Sequence, residues 1–148
     1  MYRGELTRKL LLVRLGLDRE RSGATMNSEH KALECYVDMT ELLARVDNDR
    51  ELLVELLTLF QEDFPRLRDE MHAAIDAGNP NQAEKAAHTL KGMLANLSIK
   101  HAVQLAASVE LAARAGDAQE MQKAIAGFDR EETGLLAAVE SFLAGRNP

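Results

Sequence analysis

The chain has one cysteine, no tryptophan, three prolines and only 4 % aromatic residues among 148. A lone Cys35 cannot close an intramolecular disulfide, and no Cys/His spacing of the metal-binding kind surrounds it. It reads as a reduced, structurally neutral residue. No run approaches the ~18 apolar residues of a membrane span, so no integral membrane segment is expected. The apolar stretch 10–17 is interrupted by Arg14 and followed by charges, without a small-residue cleavage site. That makes a poor signal peptide, and the expected location is the cytoplasm. Strand-like alternation, internal repeats and a Gly-rich ATP-binding segment are also missing. With few aromatics and many Leu and Ala, the core is expected to be aliphatic and helical.

Charge is distributed unevenly. Residues 1–25 hold six Lys/Arg and three Asp/Glu, whereas residues 26–148 hold twelve and twenty-one. The first segment, with Arg3, Arg8, Lys9, Arg14, Arg19 and Arg21, reads as a basic extension. It is either poorly ordered or a short amphipathic helix on Leu6, Leu10, Val13 and Leu17, of the kind that lies on a membrane surface or docks on a partner. Met26 is an alternative start. The acidic remainder, 26–148, is long enough to bury one core and is a poor match for nucleic acid, so no nucleic-acid partner is expected.

Four start signals punctuate that remainder: Asp38-x-x-Glu41, Asn48-x-x-Glu51, Asn79-x-x-Gln82 and Asp117-x-x-Glu120, each resembling a capping box before an apolar period. With the apolar periods that follow, they predict a short helix at Met39–Arg45 and four longer ones, of which the one from Ile99 rests on its period alone. The first long helix runs from Asp49 to about Ala77 on Leu53, Leu56, Phe60, Phe64, Leu67, Met71 and Ala74, with a kink or break at Pro65. The second, from Pro80 to Leu97, buries Ala83, Ala87, Leu90, Leu94 and Leu97. The third, from Ile99 to Ala115, buries Ala102, Leu105, Ala106, Val109 and Ala112 or Ala113. The last, from Ala118 to Leu143, turns Met121, Ile125, Phe128, Leu135, Val139 and Phe142 inward, with a possible bend at Gly134. Short turns make neighbours antiparallel. The expected fold is all-α, an antiparallel up-and-down four-helix bundle with a short additional N-terminal helix.

The second long helix has an unusual outer face. At about 100° per residue, His88 lies roughly 160° around from Leu90, away from the apolar stripe. Gly92 follows one turn later and Ala95 two turns later, and Lys91 stands beside His88 at i+3. A mid-helix glycine costs about 1 kcal/mol relative to alanine, yet here it clears a strip beside an imidazole with a cation at hand. Those features suit a histidine that accepts a phosphoryl group from another protein. The plain alternative is an incidental surface histidine on a non-catalytic helical interaction module.

The segment His88-Thr89-Leu90-Lys91-Gly92, followed by Ala95-Asn96-Leu97, resembles the signature of the histidine-containing phosphotransfer (HPt) domains of bacterial phosphorelays. The likeness extends from about Asp38 to Leu143 and takes in Phe60-Gln61-Glu62-Asp63-Phe64-Pro65 and Ala113-Arg114-Ala115-Gly116-Asp117. The family usually carries glycine where this chain has Ser98, which is expected to cap the next helix. The resemblance implies that His88 exchanges a phosphoryl group with the aspartate of response-regulator receiver domains, alone or in a hybrid sensor kinase. Lys91, with Lys85 at i−3, would neutralise that group, and Gly92 and Ala95 would give the partner room. It implies a monomer that binds no cofactor of its own, the Mg²⁺ being carried by the receiver domain. A sensor kinase's dimerising domain is the neighbouring possibility, but no acidic residue follows His88 and no ATP-binding segment exists, so no autokinase activity is expected. A metal site on His88 and His101 lacks an i, i+4 His pair or a Cys/His cluster. His30, His72 and His101 read as ordinary.

Overall fold

The computed structural model describes residues 31–145, and those residues are helical throughout apart from turns. The basic extension 1–25, Met26 and His30 lie outside the described residues. Five helices follow in order: α1 (Met39–Arg45), α2 (Arg50–Asp76), α3 (Pro80–Asn96), α4 (Lys100–Ala115) and α5 (Ala118–Ala144). Residues 31–34 add a helical turn ahead of them. Helices α2 and α4 each pack against both α3 and α5, so the four long helices enclose one core.

Each interhelical turn is short because the same backbone device closes it. At the end of α3, the Ser98 amide donates to the Ala95 carbonyl and the Ile99 amide to the Leu94 carbonyl. This paired pattern satisfies orphan carbonyls at a helix end and requires a left-handed residue just past it. The ends of α1, α2 and α4 repeat it, with Asn48, Asn79 and Asp117 donating to Leu43, Ala74 and Ala112. The left-handed residues are Asp47, Gly78, Ser98 and Gly116, with φ of 56°, 67°, 56° and 68°. Glycine fills two of these places at no steric cost, and the other two carry side chains.

The helix starts follow from these turns. Asp38, Asn79 and Asp117 accept from the amides of Glu41, Gln82 and Glu120, as their spacing suggests. The cap of α2 is Asp49, one residue later than expected, accepting from Glu51 and Leu52. Asn48 is itself left-handed (φ 57°), so its backbone cannot take the extended form a cap needs. Ser98 does not cap α4. Its hydroxyl is buried without a hydrogen-bond partner, and Ile99 at the cap position supplies no side-chain bond.

Apolar residues fill the interior nearly as the periodicity predicts. Phe60 and Phe64 lie 4.8 Å apart, and Phe64 lies 6.0 Å from Phe128 across the core. Two residues differ from expectation. Leu57 is wholly buried in place of Leu56, and Leu105 is only partly covered. Helix α2 is not broken at Pro65 but runs through it. Phe60 and Phe64 before the proline and Leu67 and Met71 after it enter the same core. Their shared burial offsets the roughly 3 kcal/mol that an interior proline costs. Gly134 accommodates Tyr36, whose hydroxyl a Cβ at that position would overlap.

Replacing Ser98 with glycine should raise stability by about 1 kcal/mol, by relieving the left-handed strain and removing an unpaired hydroxyl. Leu90→Ala, at a wholly buried position, should cost about 2–5 kcal/mol. His88→Ala should cost less than about 1 kcal/mol. Urea unfolding of the three variants checks the order.

Candidate functional site

Helix α3 sends its apolar stripe inward: Ala83, Ala87, Leu90, Leu94 and Leu97 are all buried. The opposite face is thereby set outward. The His88 side chain is 69 % exposed, and Lys85, Gly92 and Ala95 are exposed around it, with Lys91 half-buried. A Cβ built on Gly92 meets nothing within 4 Å. No internal packing therefore requires glycine there, and the strip beside the imidazole is open.

The structure adds a residue that the sequence reading passed over. Glu110 of α4 is buried, its side chain only 6 % exposed, and it faces α3. One carboxylate oxygen, Oε2, lies 2.6 Å from Nδ1 of His88. The other, Oε1, accepts from Nζ of Lys91 at 2.5 Å. The Lys91 hydrogen bond holds the Glu110 carboxyl below its ordinary range against the upward push of burial, and the His88 contact acts in the same direction. An ionised carboxylate can only accept, so the proton on the neutral ring resides at Nδ1. The lone pair is then at Nε2. A ring fixed in this tautomer and turned toward solvent presents a nucleophilic nitrogen.

Lys91 is thus brought to the site, but its ammonium group is engaged by Glu110 and the charge lies beside the carboxylate. Lys85 lines an open groove of about 750 Å³ together with Glu84, His88, Thr89, Glu110 and Arg114. Arg114 donates from Nε to Glu84 at 2.9 Å and holds Nη2 3.6 Å from Oε2 of Glu110. Arg45 of α1 donates to the backbone carbonyl of Ala95 at 2.9 Å, which ties the short helix to the end of the strip. A signal for Glu110 did exist. It stands four residues after Ala106, so a charge falls on the apolar stripe of α4.

The other described histidines are also paired. His72 meets Asp129 through Nε2 at 2.8 Å, and His101 meets Glu131 through Nδ1 at 2.9 Å. His88 and His101 therefore engage different carboxylates. Among the described residues no group of three or more His, Cys, Asp or Glu could hold a metal ion, and no helix is long and apolar enough to cross a membrane.

The described residues form a helical bundle that exposes an oriented imidazole on one flank. The family model described as Hpt domain matches residues 55–144, more than half of the chain, and the chain belongs to that family. Its function is histidine phosphotransfer in phosphorelays, and its members interact with response-regulator receiver domains. No curated protein and no solved structure matches.

Acid should expose the role of Glu110. Its depressed folded-state pKa contributes stability that is fully present above the ordinary value of 4.5 and is lost as pH falls through the lower folded value. Glu110→Gln should flatten that part of the acid limb, measured as unfolding free energy against pH from neutral to about pH 3.

Proposed function

We propose that His88 is the phosphorylated residue of a bacterial phosphorelay protein, accepting and returning a phosphoryl group with the aspartate of receiver domains. The observation that carries this is the Glu110 contact, which fixes the ring with Nε2 outward beside a side-chain-free Gly92. In the forward step, Nε2 forms a bond to the phosphorus of the receiver's aspartyl phosphate as the phosphorus–oxygen bond to that aspartate breaks. The electron pair of the broken bond leaves on the aspartate carboxylate. The ring becomes an N-phosphoimidazolium whose Nδ1–H still donates to Glu110, and the positive ring faces a carboxylate. The reverse step retraces this path.

Lys91 is the positioning partner of Glu110 in this reading, keeping the carboxyl ionised so that the tautomer is set. Lys85 borders the incoming group, and Gly92 and Ala95 leave space for the docked partner. Phosphoryl transfer depends mainly on alignment and charge stabilisation. The receiver domain supplies the Mg²⁺ and the remaining groups, so this chain needs no cofactor and phosphorylates nothing from ATP. The domain occupies residues 26–148 as an antiparallel up-and-down bundle with α1 at one end, preceded by the basic extension 1–25. It acts as a cytoplasmic monomer.

A second reading, the interaction module with His88 incidental, draws on His101. That imidazole is also exposed, at 62 %, and is also held through Nδ1 by a glutamate of the next helix. The position after it that corresponds to Lys91 is Gln104, so its carboxylate has no such lysine at i+3. Incubation with a phosphorylated receiver domain separates the two readings. Wild type and His101→Gln should take up acid-labile phosphate, and His88→Gln should not. Label that persists in His88→Gln would move the site, and no label from any cognate receiver would favour the module.

Gly92→Gln should keep the fold or stabilise it by up to about 1 kcal/mol through helix propensity. It should also slow transfer by at least about tenfold by filling the docking strip. Stopped-flow or quench-flow transfer rates, paired with thermal melts, check both halves.

A further inference from the structure

The groove beside His88 contains a cation that the tautomer argument does not use. Lys91 is committed to Glu110 at 2.5 Å, on the Nδ1 side of the ring. Arg114 comes from α4, and its side chain is 59 % exposed. It holds Glu84 through Nε at 2.9 Å and keeps Nη2 3.6 Å from Glu110 Oε2, the same oxygen that meets His88. One carboxylate oxygen therefore separates the guanidinium from the ring. The Arg114–Glu84 pair is open to water, so it is easily exchanged for a better anion. A phosphoryl group on Nε2 would bring a charge of about −1.5 to −2 and three acceptor oxygens to the groove. A planar guanidinium matches such oxygens with paired donors, as a lysine does not.

We propose that Arg114 is the phosphoryl-binding residue of the phosphorylated state, released from Glu84 to the phosphoryl oxygens when His88 is loaded. Glu84 is its resting partner: it holds the guanidinium over the groove and balances its charge while His88 is empty. The exchange leaves Lys91 with Glu110, so the ring stays oriented while the added charge is met from α4. This rests on His88 being the phospho-acceptor.

The full chain is loaded with phosphoramidate, Nε2 displacing ammonia from phosphorus as the phosphorus–nitrogen bond of the donor breaks. The phosphoryl resonance is then titrated by ³¹P NMR in wild type, Arg114→Ala, Arg114→Lys and Glu84→Gln. A cation at the group favours its dianion, so the phosphoryl pKa should rise in Arg114→Ala and recover in part in Arg114→Lys. The equilibrium with a phosphorylated receiver domain should shift away from His88 by roughly two- to fivefold in Arg114→Ala, the scale of one exposed ion pair. It should shift toward His88 in Glu84→Gln. Wild-type pKa and equilibrium in loaded Arg114→Ala would overturn the role of Arg114 and leave that of His88 intact. Failure of wild type to form phosphohistidine at position 88 would overturn both. Circular dichroism melts confirm that the exposed substitutions leave the fold in place.

Discussion

Glu110 is a carboxylate placed where a bundle normally buries a hydrocarbon, and the character of the site follows from how its charge is compensated. Left alone, a buried carboxylate would be strongly disfavoured or would take up a proton. Here both oxygens are engaged, one by the Lys91 ammonium group and one by the His88 ring. The lysine is what keeps the carboxyl ionised, and the ionised carboxyl is what dictates the ring's tautomer. The chain of dependence runs from a packing position on α4, through a charge, to the identity of the free nitrogen on α3.

The same chain contains a control for this reasoning. Glu132 of α5 is also buried on an apolar stripe, and Arg68 of α2 meets it in a charge-assisted hydrogen bond. That pair joins two helices, and with an arginine as partner it presents no nucleophile. Burial of a glutamate is therefore not itself a functional sign. The difference lies in the partner: an arginine only closes the charge, whereas an imidazole held at one nitrogen has a second nitrogen to offer.

The bundle's ends show how little the turns need to vary. Each of the four helix ends closes with the same pair of backbone bonds around a left-handed residue. Ser98 retains this geometry with a side chain, at the cost of a strained backbone and a buried hydroxyl with no partner. Its carbonyl accepts from the Asp38 amide at 2.9 Å, which fastens the entry to α1 against the α3–α4 turn. A turn held from outside in this way tolerates a residue that its own dihedral angles disfavour.

Much of the fold was legible because it is written locally. Helical period placed the core of α3 and the outward face of His88, and short polar side chains marked three of the five helix starts at the right residue. The start of α2 falls at Asp49 and not at Asn48 because the left-handed turn before it depends on bonds to Leu43 and Ala44, which spacing alone does not reveal. Pro65 does not break α2 for a similar reason: a local propensity for a break yields to burial on both sides. Order along one helix is fixed by the sequence, since 3.6 residues per turn leaves no choice about what faces what. Which residue of another helix comes to meet that face is decided by packing. The sequence determined that an imidazole, a lysine and a glycine share the exposed flank of α3. Only the approach of α4 determined that Glu110 binds the ring and the lysine together, and that Arg114 overlooks the groove beside them.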